Sequence, residues 1–125
     1  MPGGQTSKVV VIIDDNELMR DSLCDLVESA GIEVRCFGSA QEFLESDLHT
    51  KVACLIVDVR MPRMSGLELQ ARLKEERCNV PIIFITAYDD PEIRAQVMKD
   101  GAVEFLAKPF DHQVLLKILR RTLDR

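Results

Sequence analysis

The chain has 125 residues, which suits one domain around one core. An apolar fraction of 46%, a charged fraction of 30% and a net charge of -5 describe a globular protein with no general affinity for nucleic acid or anionic membrane. No apolar stretch approaches the roughly 18 residues needed to span a bilayer.

The first residues, Met1-Pro2-Gly3-Gly4-Gln5-Thr6-Ser7, lack the apolar core of a signal peptide and read as a disordered leader. The folded domain is then expected over 8–125, in the cytoplasm. A strand is predicted over 8–13, where Val9-Val10-Val11-Ile12-Ile13 runs straight into the acidic pair Asp14-Asp15. Adjacent carboxylates at the end of a buried strand repel, and a hard divalent cation bound through oxygen relieves that repulsion. A helix is predicted over 16–30, with Met19, Leu23, Leu26, Val27 and Ala30 on one face and Gly31 as its stop. A short strand follows over 33–37. Ser39 and Glu42 form a capping-box pattern for a helix over about 40–46.

The continuous apolar run 52–57 predicts a strand covered on both faces, and 67–76 a helix. Another buried strand is predicted over 81–85. Asp90 before Pro91 is an N-cap followed by a favoured first-turn proline, for a helix reaching about 100 and stopping at Gly101. The last strand is predicted over 103–107, and Asp111 caps a helix that runs to the C-terminus. Strand and helix alternate five times, which implies an α/β fold with helices on both faces of a parallel sheet. The expected architecture is doubly wound and flavodoxin-like, five strands in the order 2-1-3-4-5, with a crevice between strands one and three.

Ligands in such sheets bind outside the carboxyl ends of the strands. Strand one delivers Asp14 and Asp15 there, strand three Asp58, strand four Thr86, and strand five Lys108 followed by Pro109. Three converging carboxylates make a Mg²⁺ site; a hydroxyl and an ammonium beside it suit a phosphoryl group. Each residue alone has a plainer role. Thr86 would be a β-branched strand residue, Phe105 a core aromatic, Lys108 a surface charge, and Pro62 and Gly66 loop punctuation. Jointly, on one sheet edge, they favour the functional reading. The cysteines Cys24, Cys36, Cys54 and Cys78 show no C-x-x-C spacing and read as reduced, mostly buried thiols. Arg120, Arg121 and Arg125 are expected to complement the dipole of the last helix.

Asp14-Asp15, Val57-Asp58-Val59-Arg60-Met61-Pro62 with Gly66, Ile85-Thr86-Ala87 and Lys108-Pro109-Phe110 resemble the motifs of receiver domains of two-component response regulators, over roughly 8–124. Ala40-Gln41-Glu42-Phe43 and Pro109-Phe110-Asp111 look most like receivers that precede a LuxR-type helix-turn-helix output domain. The resemblance implies a Mg-dependent signalling switch, with Mn²⁺ as a substitute, phosphorylated by a sensor histidine kinase. It makes Asp58 the phosphoacceptor, and Asp14, Asp15, Asp58 and the Arg60 backbone carbonyl the metal ligands. It pairs Lys108 with Asp58 before reaction and with phosphate after it, across a cis Lys108–Pro109 bond. Thr86 and Phe105 become switch residues, the hydroxyl moving to phosphate and the ring turning inward. Arg60 and Tyr88 flank the site and tune dephosphorylation. The altered face is helix four with strand five and helix five; its part around helix four and strand five would support phosphorylation-dependent homodimerisation, with no direct nucleic-acid binding by this domain. Within this reading the protein is a regulatory phosphoacceptor rather than an enzyme.

Three rivals fit less well. An aspartyl-phosphate phosphatase usually carries a second carboxylate two residues after its nucleophile, where this chain has Arg60. A flavodoxin-like nucleotide binder needs a Gly/Ser/Thr loop after strand one, where Asp14-Asp15-Asn16-Glu17 repels an anion. A receiver that is never phosphorylated has no reason to keep all five site residues.

Overall fold

The computed structural model describes residues 9–124; the expected leader, Lys8 and Arg125 lie outside them. The strands are β1 (Val9–Ile13), β2 (Val34–Phe37), β3 (Val52–Asp58), β4 (Ile82–Thr86) and β5 (Glu104–Ala107). They alternate with α1 (Glu17–Ser29), α2 (Ala40–Glu45), α3 (Gly66–Glu75), α4 (Pro91–Lys99) and α5 (His112–Leu123). The sheet is parallel throughout, in the order β2-β1-β3-β4-β5 expected from the alternation.

The strands are apolar at nearly every position because both faces are covered. Val9, Val11, Ile13, Leu55, Val57, Ile82 and Phe84 pack with residues of α2, α3 and α4 on one side. Val10, Ile12, Cys54, Ile56, Ile83 and Ile85 pack with Leu23 and Val27 of α1 and Leu115 and Leu119 of α5 on the other. Register then sets the functional edge: Ile13 pairs Val57, Asp58 pairs Ile85, and Thr86 pairs Ala107, so β1, β3, β4 and β5 end together.

Element ends differ from expectation by a residue or two, for local reasons. Asn16 is the N-cap of α1 and not its first residue; its backbone is extended and its side chain accepts from the Met19 N–H. At Ser39 the hydroxyl accepts from the Glu42 N–H, while the full reciprocal capping box forms at Ser65 and Glu68, at the start of α3. An unanticipated 3₁₀ turn, Asp47–Thr50, follows α2, held by the Ser46 hydroxyl accepting from the Leu48 N–H at 3.2 Å. Arg120 donates to the Ala30 carbonyl at 3.5 Å, so it also serves the C-terminal end of α1.

Candidate functional site

Asp14 and Asp58 are buried at the carboxyl edge of the sheet, and Asp15 beside them is exposed. The strand carries Asp14 inward as it ends, and the chain turns out to solvent at Asp15. One carboxylate oxygen from each of the three lies within 4.8 Å of the others. Backbone donors fix the two buried groups. The Asn16 N–H donates to Asp14 Oδ1 at 2.9 Å, and the Arg60 N–H donates to Asp58 Oδ1 at 3.2 Å.

Lys108 follows β5, and its peptide bond to Pro109 is cis. Its ammonium lies 3.4 Å from Asp14 Oδ2 and 3.7 Å from Asp58 Oδ2. The expected pair with Asp58 is therefore shared with Asp14. One ammonium among three carboxylates does not neutralise them. Burial, then the Asp14 charge, push the Asp58 carboxyl up to about 6 from its ordinary 3.8, against the smaller opposing pulls of Lys108 and the Arg60 N–H. A divalent cation held through oxygen would supply the missing positive charge, and this donor set fits a small, hard one.

Gly66 sets how closely α3 approaches the site. A Cβ there would meet the Asp58 carbonyl oxygen at 2.7 Å and side-chain carbons of Phe84 and Val57 at 3.1 and 3.2 Å. Only a residue without a side chain lets the helix start against the strand that bears Asp58.

Thr86 is buried at the end of β4, its hydroxyl accepting from the Tyr88 N–H at 3.2 Å. Tyr88 is exposed, and the Arg60 guanidinium lies over its ring at 4.9 Å, so these two flanking residues meet beside the carboxylates. Phe105 is 2% exposed, with the Arg94 guanidinium over its face at 4.7 Å. The ring expected to turn inward already has a buried seat, which costs nothing in lost hydrogen bonds because Phe carries no hydroxyl.

Two arginines escaped the sequence reading. Arg20 of α1 donates to the Asp14 carbonyl at 2.8 Å, bracing the turn after β1. Arg94 reaches Phe105 from α4. Neither has a sequence signal, since both act through tertiary contacts. The cysteines are thiols rather than disulfides; Cys54 is buried, whereas Cys24, Cys36 and Cys78 are partly exposed. Burial pushes the Cys54 thiol up to about 12, and burial with the neighbouring Cys24 does the same to Cys36, so neither is a ready nucleophile.

A family model described as "Response regulator receiver domain" matches residues 10–120. Nodulation protein W of Bradyrhizobium diazoefficiens is 42% identical over 120 residues, covering 96% of this chain and 53% of that protein. Response regulator protein TodT of Pseudomonas putida is 43% identical over 117 residues, covering 94% of this chain and 52% of that protein. The chain thus spans about half the length of the curated relatives it matches. Among solved structures, response regulator StyR superposes with a TM-score of 0.87 at 42% identity, over 94% of this chain and 60% of that one. The structure titled FIXJ-N superposes at 0.84 with 35% identity, over 94% of each chain.

Proposed function

This chain belongs to the response regulator receiver domain family, and we propose that it is a switch phosphorylated on Asp58 by a sensor histidine kinase. The observation that carries the reading is the convergence of Asp14, Asp15 and Asp58 with the Lys108 ammonium at one sheet edge.

Asp14, Asp15, Asp58 and the Arg60 carbonyl would hold Mg²⁺, or Mn²⁺ in its place, which when bound offsets charge on the transferring phosphoryl oxygens. The remaining work falls to the protein's own groups. An Asp58 carboxylate oxygen forms a bond to phosphorus as the P–N bond to the kinase histidine breaks, and that electron pair returns to the imidazole. The Arg60 N–H on Asp58 Oδ1 orients the carboxylate and leaves Oδ2 free to react. Lys108, 3.7 Å from Oδ2, moves with the charge to a phosphoryl oxygen. The Thr86 hydroxyl turns to donate to another. The same domain slowly hydrolyses its acyl phosphate, with the Arg60–Tyr88 stack restricting water.

The consequence is a changed surface on α4, β5 and α5, a local charge event biasing a two-state element. The α4 and β5 part of that face supports homodimerisation in the phosphorylated form. Relatives named transcriptional regulatory proteins, TdiR and FixJ, support control of transcription; the LuxR type of the output domain, attached or missing, rests on the motif resemblance alone. The domain itself acts in the cytoplasm, without touching nucleic acid. No helix among the described residues is long and apolar enough to cross a membrane. The test is intact-mass spectrometry after incubation with acetyl phosphate, with and without Mg²⁺, and then with phosphoramidate. A single phosphoryl adduct that needs Mg²⁺ supports the proposal; no adduct from either donor overturns it.

A further inference from the structure

We propose, resting on the receiver reading, that Arg94 of α4 is a positioning residue that latches the switch in the arrangement where Lys108 pairs with Asp14 and Asp58. One guanidinium makes three contacts. Nη2 donates to Asp89 Oδ1 at 3.1 Å, Nη1 donates to the Phe105 carbonyl at 3.3 Å, and Cζ lies 4.7 Å over the Phe105 ring. Asp89 and Phe105 lie on the two chain segments that lead out of the site. Asp89 ends the short stretch that begins at Thr86, and Phe105 lies on β5, the strand that leads into Lys108. The planar fork of Arg serves both segments from one position, which the point charge of Lys does not.

The stretch from Thr86 to Asp89 transmits force because its links are short. The Tyr88 N–H donates to Thr86 Oγ1. Asp90 then caps α4 by accepting from the Glu92 and Ile93 N–H groups at 2.9 and 3.4 Å. When the Thr86 hydroxyl turns toward a phosphoryl group on Asp58, the Tyr88 N–H loses its acceptor. The segment must then rearrange, which pulls Asp89 from Arg94 and loosens the cover over Phe105. A group on Asp58 that requires this movement works against the latch. By reciprocity, the latch lowers the domain's affinity for that group.

The test uses beryllofluoride as the phosphoryl mimic, titrated at saturating Mg²⁺ and followed by ¹⁹F NMR. Binding by the wild type, lost in Asp58→Asn, validates the probe; no binding by the wild type overturns the receiver reading and the latch with it. Given binding, Arg94→Gln should tighten it about five-fold, the worth of one exposed ion pair with one cation–π contact from a half-exposed guanidinium to a buried ring. Asp89→Asn should tighten it about two-fold while leaving the cover on Phe105 intact. Arg94→Lys should fall between wild type and Arg94→Gln. In a Thr86→Ala background the Arg94→Gln effect should vanish, which a merely structural role would not produce. In the metal-free wild type the Arg94 Nε–H resonance should carry the Phe105 ring-current shift and lose it on adding Mg²⁺ and beryllofluoride. Unchanged or weaker binding in Arg94→Gln overturns the latch. Should that variant not fold, unchanged binding in Asp89→Asn does so.

Discussion

Asp58→Asn should make the metal-free domain more stable, although it removes a buried ion pair. The Asp58 carboxyl stands at about 6 in the fold against 3.8 as its ordinary value, mainly because burial and the Asp14 charge penalise the ionised form. At 1.36 kcal/mol per unit, that displacement corresponds to about 3 kcal/mol. A folded pKa above the unfolded one means that the native state binds the extra proton between about pH 4 and 6. Stability therefore falls as pH rises through that window, and the full penalty persists above it. Asparagine keeps the shape and the acceptor for the Arg60 N–H without the charge. Local relaxation relieves part of the penalty in the wild type, so a gain of about 1–3 kcal/mol is expected at pH 8 in EDTA. For a chain of this length that is about 4–12 °C in Tm. Urea unfolding followed by circular dichroism at pH 8 and at pH 3.5 measures it, since the chain has no tryptophan. The gain should shrink toward zero at pH 3.5. A variant less stable than wild type at pH 8, or a gain that does not fall with acid, would refute the reasoning.

Three further outcomes are expected. Mg²⁺ should stabilise the wild type by mass action, by about 2.7 kcal/mol at a hundred times its Kd, and Asp15→Asn should lose most of that gain in a thermal-shift titration. Arg60→Ala and Tyr88→Ala should each shorten the acyl-phosphate lifetime about two- to five-fold, the worth of one exposed cation–π contact; lifetimes unchanged in both would remove the water-restricting role. Gly66→Ala should cost about 1–3 kcal/mol by overpacking against the Asp58 carbonyl, Phe84 and Val57, and a neutral result in urea unfolding would show that α3 can shift away at no cost.

Much of this molecule was legible in its residues, and what was not follows from distance along the chain. The strands of a parallel sheet are buried on both faces, so Val9–Ile13 and Val52–Asp58 stand out as unbroken apolar runs. Because those runs end on one edge, the clustering of Asp14, Asp15, Asp58 and Lys108 followed from topology alone. Ser65 and Glu68 share the spacing of Ser39 and Glu42, and spacing alone does not tell that the reciprocal capping box closes at Ser65. The 3₁₀ turn after α2 is held by the Ser46 hydroxyl and by the Lys51 N–H donating to the Leu48 carbonyl at 2.7 Å, local contacts below what periodicity resolves. The contacts of Arg120 with Ala30 and of Arg94 with Phe105 span 90 and 11 residues, and no local pattern encodes them.

Asp58 is the side chain proposed to accept phosphate, and its position can be read chemically. Borohydride reduction of the acetyl-phosphate-treated protein, followed by peptide mass mapping, converts an aspartyl phosphate to homoserine and so marks the position. Homoserine at 58, dependent on Mg²⁺ and absent without phosphodonor, is the expected result. Homoserine at Asp14 or Asp15 instead, or a phosphoryl adduct that survives borohydride on another side chain, would contradict the account.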